Sequence, residues 1–194
     1  IRLLRGSGLQ GLSSFQNKKT LIKKNLNIFV LRPLLNIPKQ ELYYVTKNTF
    51  NFNIEDPSNE NDYYLRIKIR KLIRHLSQYG LNFEKFKLTL ENLSKSNSAI
   101  KFYVKKNIKE NTQIINKKKD IIINEFFFTQ PDEIVLRSVS ELIHYIGNKT
   151  NYTRGKKLIN LINKIKKTKN FKRQTLSGCI IEKVNKSIVI SREN

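Results

Sequence analysis

The chain has 194 residues, a length that accommodates one large domain or two small ones. Hydrophobic residues make up 39% of it and charged residues 27%, which permits a packed core and argues against disorder along the whole chain. The formal net charge of +23 creates a positive field that attracts polyanions, and phosphate backbones are the usual ones. An AT-rich genome would also enrich lysine, asparagine and isoleucine without selection for binding, so charge alone leaves a solvated basic surface as the alternative.

Several classes of protein are disfavoured by what the sequence lacks. No apolar run approaches the roughly 18–20 residues of a spanning helix, and no signal peptide is recognisable, so we expect a cytoplasmic protein without a membrane partner. Cys179 is the sole cysteine, which excludes a disulfide framework and a cysteine-based zinc site. His75 and His144 are far apart, and we predict no metal site. The chain begins at Ile1 and contains no methionine, so we expect a truncated N-terminus.

The first part of the chain alternates between strand and helix patterns. Residues 1–5 look like a helix end that the Gly6-Ser7-Gly8 turn closes, because glycine readily adopts the left-handed conformation of a helix stop. The apolar run at 27–31 predicts a buried strand, and Pro38 predicts the start of a helix that continues to about residue 48. A short strand at 50–54 and a helix at 61–79 are predicted next, the helix with an apolar stripe of Leu65, Ile69, Leu72, Ile73 and Leu76.

The second part of the chain has a different pattern after Gly80. It begins with a long lysine-rich helix at 83–111 and a hairpin at 113–124. Apolar spacing then predicts a helix that Gly147 ends and another around residues 158–165, followed by a terminal hairpin at 175–191. We therefore predict two domains: an α/β piece at 1–80 and a mainly helical, basic α+β module at 81–194 that ends in a β-hairpin.

Two groups of residues near the predicted strand ends could carry chemistry. In Arg5-Gly6-Ser7-Gly8, a cation stands beside backbone N–H groups that can bind phosphate, although a plain helix stop is the alternative. Residues 54–59, Ile-Glu-Asp-Pro-Ser-Asn, place two carboxylates and an amide at a turn before the helix that carries Arg66 and Arg70. Carboxylates that hold an amine or a metal, facing guanidinium groups that hold phosphate, suit nucleotide-transfer chemistry. The alternative there is a helix N-cap with exposed charge.

The stretch 154–173 contains nine lysine or arginine residues and no aspartate or glutamate. With Tyr152 and Phe171 beside it, such a stretch can follow an RNA backbone and stack a base, although a solvated helix face is the alternative. Arg74, which follows Arg66 and Arg70 at four-residue spacing in the helix predicted at 61–79, is a further candidate. The predicted RNA-binding residues are Arg74, Arg154, Lys156, Lys157, Lys164, Lys166 and Lys167.

The motifs together resemble one enzyme family, the bacterial tRNA(Ile)-lysidine synthetases. The resemblance rests on the sequence at 3–12, on Arg32-Pro33-Leu34-Leu35, and on the Glu-Asp-Pro-Ser-Asn segment at 55–59 followed by Arg66 and Arg70. The tail from Thr175 to Glu193 is similar to the end of the family's substrate-recognition domain. The resemblance implies that the first domain is the C-terminal part of a Rossmann-like PP-loop domain and that the second domain contacts tRNA.

The resemblance also implies a reaction, in which ATP with Mg²⁺ adenylates C2 of the wobble cytidine of tRNA(Ile) with the CAU anticodon. The amine of lysine then displaces AMP and forms lysidine. By the same resemblance Arg66 has a catalytic or substrate-orienting role, and a homodimer is one oligomeric state it allows. The residues implied to line the substrate and nucleotide pocket are Arg5, Ser7, Glu55, Asp56, Asn59 and Arg70.

Two departures from the family pattern limit what this polypeptide is expected to do alone. The family's Ser-Gly-Gly-x-Asp-Ser phosphate loop is absent from the 194 residues, so the fragment by itself is not expected to catalyse. The usual Arg-Asn-x-x-Arg pattern here has Ile67 in place of asparagine. A non-catalytic RNA-binding module stays open as an alternative, while PP-loop thiolation enzymes are disfavoured because they carry cysteine pairs or clusters.

Overall fold

The computed structural model describes residues 1–13, 18–23, 26–52, 54, 57, 61, 63–115, 120–147, 155–168 and 171–193. By its internal contacts the chain divides into two compact units, Ile1–Asn97 and Ser98–Asn194. This division falls inside a long helix. The domain boundary predicted near residue 80 stays a prediction.

The first unit opens with a single turn of 3-10 helix, Leu3–Arg5, followed by helix α1 at Leu9–Leu12. Strands β1 (Lys18–Lys23) and β2 (Leu26–Leu31) pair antiparallel, with Lys18 opposite Leu31 and Lys23 opposite Leu26. Another 3-10 turn at Pro33–Asn36 leads to helix α2, Lys39–Phe50, which begins directly after Pro38. Helix α3 follows at Leu65–Ser77, inside the helix predicted at 61–79.

Two expectations for the first unit are wrong. Residues 50–52 and 54 do not form a strand, because α2 runs to Phe50 and Asn51 ends it in the left-handed conformation, with φ 55°. The strand at 26–31 exists but is not buried, since Phe29 and Leu31 are exposed. A two-stranded ribbon offers too little apolar surface to bury its own side chains.

The apolar stripe of α3 is also largely exposed, contrary to the sequence-based expectation. Leu65, Leu72, Ile73 and Leu76 are all accessible, whereas Ile67, on the other side of the helix, is buried. Among residues of the first unit whose burial is described, Ile67 is the single buried apolar side chain. The described part of this unit therefore has little core of its own, which is the physical reason that the stripe has no cover.

The second unit is built around a five-stranded antiparallel sheet. Helix α4, Phe83–Asn111, leads directly into strands β3 (Thr112–Ile115) and β4 (Asp120–Ile123). A 3-10 turn at Glu125–Thr129 precedes helices α5 (Asp132–Gly147) and α6 (Lys156–Lys167). Strands β5 (Gln174–Leu176), β6 (Cys179–Val184) and β7 (Ser187–Arg192) complete the sheet, in the order β3-β4-β7-β6-β5.

The core of this unit lies between one face of the sheet and helices α5 and α6. Register places Ile121 of β4 opposite Ile190 of β7, and Ile190 opposite Ile181 of β6, so the three side chains form one buried row. Phe127 completes the core from the 3-10 turn, where the Asn124 side chain accepts a hydrogen bond of 3.2 Å from the Phe127 N–H. The helices predicted from apolar spacing and the hairpin predicted at 113–124 are confirmed. The terminal hairpin is confirmed in part: β6 and β7 pair around residues 185–186, but residues 175–181 are not one strand, because a turn at Ser177 and Gly178 separates β5 from β6.

Candidate functional site

The turn after the first helical residues has the conformation predicted for a helix stop. Gly6 is left-handed, with φ 66°, and its N–H donates to the Leu3 carbonyl at 2.9 Å. Arg5 precedes this turn and is exposed, while Ser7 is half-buried and its N–H donates to the Arg2 carbonyl at 3.0 Å. A side chain at position 11 would stand 2.9 Å from Cβ of Ser7, so glycine at 11 permits this close packing. The turn thus holds Ser7 in place and leaves the Arg5 guanidinium in solvent.

Arg66, Arg70 and Arg74 form a row along α3, one helical turn apart. All three are exposed, and Arg66 lies in the first turn, where no acidic residue accompanies it. A cation at a helix N-terminus is unfavourable, because the helix dipole places partial positive charge at the same end. A bound anion would offset that cost, so the start of α3 is electrostatically suited to a phosphate or a carboxylate.

Several predicted site residues lie outside the described residues, namely Glu55, Asp56, Asn59 and Arg154. Pro57, between them, is described and is exposed. Whether the acidic turn and the Gly6 turn meet the Arg66 row in one pocket therefore stays a prediction.

Helix α6 separates its apolar and basic residues cleanly. Leu158, Leu161, Ile162 and Ile165 face the core and are buried. Lys156, Lys157, Lys164 and Lys167 project from the opposite side of the helix and are exposed. Four ammonium groups on one face of a helix that is anchored in a core form a fixed cationic surface, which suits a phosphate backbone.

Among the lysines of α6, Lys166 is distinguished by an ion pair and by a side chain that is only 29% exposed. Its Nζ donates a hydrogen bond of 2.7 Å to Oδ1 of Asp132, the first residue of α5. This hydrogen bond and the charge of Lys166 lower the pKa of the Asp132 carboxyl below its ordinary value of 3.8. The pair links α6 to α5, and Asp132 partly neutralises the charge that Lys166 could offer to a phosphate. Sequence reasoning missed this pair, since no local pattern links residues so far apart in the chain.

The expected consequence is a pH-dependent contribution of this ion pair to stability. A carboxyl whose pKa is depressed in the folded state stabilises above its unfolded value, here 3.8, and this stabilisation is lost as the pH falls through the folded value. Lys166→Ala should therefore lower the unfolding midpoint at neutral pH, with a difference from the unsubstituted chain that shrinks in strong acid. Thermal unfolding followed by circular dichroism over a series of pH values measures this difference in midpoint. Lys167→Ala is the control, and an equal pH dependence in both variants would contradict the assignment.

One aromatic residue assigned to RNA stacking is a core residue instead. Phe171 is buried and packs in the cluster of the second unit, so the expectation that it stacks a base is wrong. Tyr152 lies outside the described residues. Within the described ranges, no group of three or more histidine, cysteine, aspartate or glutamate side chains could hold a metal ion. Nor does any helix in these ranges have the length and hydropathy to cross a membrane.

One domain-family model matches the first part of the chain. Residues 1–76 match a family described as a PP-loop domain. This match covers the Gly6 turn, β1, β2, α2 and most of α3. It therefore includes Arg5, Ser7 and Arg66, although it tests no role for them.

Curated relatives match the chain along its entire length. The tRNA(Ile)-lysidine synthase of Wolbachia sp. subsp. Brugia malayi is 31% identical over 100% of this chain and 44% of its own length. That of Wolbachia pipientis wMel is also 31% identical, with the same two coverages. That of Orientia tsutsugamushi is 30% identical over 100% of this chain and 44% of its own length.

The chain thus spans less than half the length of these relatives. The similarity confirms the resemblance predicted from the motifs at 3–12, 32–35 and 55–70, and it extends through the second unit. This chain is a homologue of the tRNA(Ile)-lysidine synthases, with PP-loop domain sequence at residues 1–76.

Proposed function

We propose that this chain is part of an enzyme that ligates lysine to C2 of the wobble cytidine of tRNA(Ile) with the CAU anticodon. The observation that carries the proposal is the similarity to tRNA(Ile)-lysidine synthases over 100% of the chain, across both compact units. The proposed reaction consumes ATP, with Mg²⁺ as the accompanying cation. The cytidine C2 oxygen attacks the α-phosphate and pyrophosphate leaves, and the lysine amine then attacks C2 and releases AMP.

The residues of the first unit have a consistent place in this scheme. Arg66, at the start of α3, orients or stabilises a phosphate of the adenylated intermediate, and Arg70 binds one turn further along. Glu55, Asp56 and Asn59 shape the same pocket and hold the lysine amine, while Arg5 and Ser7 contribute from the Gly6 turn. The similarity on which this scheme rests covers 44% of the length of the first relatives.

The second unit binds tRNA in this proposal. Its α6 lysines supply a cationic face, and its core fixes that face relative to the sheet. Arg154 is a further phosphate-contacting residue in this proposal, and Arg74, on α3 of the first unit, is proposed separately as another. Lysines of this kind contribute affinity for RNA that does not depend on the base sequence and that falls as the salt concentration rises.

The tRNA-binding role is tested by the triple variant Lys156→Ala, Lys164→Ala, Lys167→Ala in the 194-residue chain. We expect the plot of log affinity for tRNA against log salt to flatten by about one unit for each phosphate that the variant no longer neutralises. Lys166→Ala is the matched control, with a smaller effect because its ammonium is engaged by Asp132 at 2.7 Å. An unchanged slope in the triple variant would indicate that the basic face of α6 is only solvated and does not contact phosphates.

A non-catalytic RNA-binding module is the rival function. It is favoured by one observation, namely that the second unit has its own core and carries the basic helix. The coding sequence upstream of Ile1 discriminates between the two. An open reading frame that encodes Ser-Gly-Gly-x-Asp-Ser about one domain earlier would support the ligase. A start codon immediately before Ile1 would refute it and leave the RNA-binding module.

A further inference from the structure

The C-terminal half of α4, from Ser98 to Asn111 in the second unit, has a fixed orientation. Val104 and Asn107 are buried on its inner face. The Asn107 amide donates to the Phe127 carbonyl at 3.4 Å and to Oγ of Ser138 at 3.3 Å. These interactions join the helix to the 3-10 turn and to α5, so they determine which of its side chains point away from the core.

The opposite side of this half-helix combines an aromatic ring with lysines. Phe102 is 64% exposed, and its ring lies edge-on to that of Tyr103 with centroids 5.5 Å apart. Lys105, Lys106 and Lys109 are exposed three, four and seven residues later, which places them on the same side of the helix as Phe102. We call these four residues, Phe102, Lys105, Lys106 and Lys109, the α4 surface.

The lysines of the α4 surface are little neutralised by acidic side chains of the described residues. Among described residues, Lys106 is the one member with an ion pair, at 3.9 Å from Oε1 of Glu110, and both side chains are more than half exposed. Pairs of this kind are weak. A favourable interaction with the C-terminal end of the helix dipole stabilises Lys109. Phe102 adds an exposed aromatic ring on the same side of the helix as the three lysines.

We propose that the α4 surface binds an unpaired segment of RNA, with Phe102 stacked on a base and the three lysines on the adjoining phosphates. An aromatic face accepts any base, and lysines a helical turn apart follow the backbone without reading sequence. This inference rests on the proposed tRNA-binding function and adds a second contact area, distinct from the α6 lysines.

Tryptophan fluorescence provides a direct test, because the chain contains no tryptophan. In the full 194-residue chain, Phe102→Trp introduces a single emitter at the proposed stacking position. Titration with a short oligouridine should quench its emission, since a base stacks on the indole. Phe126→Trp is the matched control: Phe126 is 62% exposed in the same unit, yet lies beside Glu125, and its replacement should be quenched little.

Affinity measurements on the same chain give an independent reading. Phe102→Ala should weaken oligouridine binding by about 5- to 150-fold, which corresponds to the loss of one stacked base. Phe102→Tyr should retain most of the affinity, because the ring is preserved. Lys105→Ala with Lys109→Ala should flatten the salt dependence, whereas Phe102→Ala should leave its slope unchanged.

The outcomes separate this inference from the proposed function. Suppose that the α6 triple variant weakens tRNA binding while Phe102→Ala changes neither tRNA nor oligouridine binding. Then the proposal that the α4 surface binds RNA is wrong, and the proposed function stands. If the unsubstituted chain binds neither RNA, the RNA-binding roles of the α6 lysines and of the α4 surface are both wrong. A blue shift of the Phe102→Trp emission with phosphatidylserine vesicles, without quenching by oligouridine, would make the α4 surface a membrane contact and overturn the proposal.

Discussion

Replacing Arg66 by alanine is expected to reduce lysidine formation by about 100- to 1,000-fold and to leave tRNA binding within a few-fold. Loss of one preorganised charged donor has an effect of this size when the donor acts on charge that develops during the reaction. The measurement uses the product of the complete open reading frame that contains this chain, with lysidine quantified by mass spectrometry of nucleosides from a tRNA(Ile) transcript.

Two further substitutions in α3 control for less specific explanations. Arg66→Lys keeps the positive charge but loses the planar pair of donors, so its activity should stay low. Arg74→Ala, two helical turns along the same row, should weaken tRNA binding with little effect on the reaction at saturating tRNA. If Arg66→Ala and Arg74→Ala weaken binding equally, and activity returns at high tRNA concentration, then Arg66 is a docking residue.

The largest expected effect on stability is that of Phe127→Ala. Phe127 is fully buried in the cluster between the sheet and helices α5 and α6, and its removal leaves a cavity. Truncation of a buried phenylalanine to alanine typically costs about 3–5 kcal/mol. Urea unfolding of the 194-residue chain, followed by circular dichroism, measures the change as a lower midpoint at nearly constant slope.

The neighbouring residue provides the control for that prediction. Phe126 is 62% exposed, and Phe126→Ala should change the free energy of unfolding by no more than about 0.5 kcal/mol. The pair of variants removes the same atoms from adjacent positions in one 3-10 turn. Equal destabilisation by the two would contradict the burial of Phe127 and the core built around it.

Helices of the second unit were predictable from sequence because their apolar spacing matches real burial. Leu158, Leu161, Ile162 and Ile165 give α6 its period, and all four pack in the core. Lys156, Lys157, Lys164 and Lys167 of the same helix are exposed. The same rule was wrong for α3, because Leu72 and Ile73 have no covering partner within the described part of the first unit.

Long-range pairing could not be predicted from local patterns. Two hairpins were expected, at 113–124 and at 175–191, but nothing local indicates that Ile121 pairs with Ile190 and joins β3–β4 and β5–β7 into one sheet. Strand β1 was missed because Lys18–Lys23 has the charge of a loop, and its partner β2 defines it. The engagement of Lys166 by Asp132 is of the same kind, since its cause is the packing of α6 on α5.

The functional residues were predictable to the extent that motifs carry them. The Gly6 turn and the arginine row of α3 have the predicted local conformations. Phe171 was assigned wrongly, because an aromatic residue beside lysines has the same pattern whether it stacks a base or fills a core. Burial distinguishes the two cases: Phe171 is buried in the core, whereas Phe102 is exposed.

The buried position of Cys179 has a practical consequence. It is the sole cysteine of the chain, it is fully buried in β6, and its thiol donates to the Ile143 carbonyl at 3.4 Å. A thiol reagent can therefore label the protein only when the second unit opens. The labelling rate therefore measures how often the second unit opens, in the unmodified sequence and without an engineered reporter.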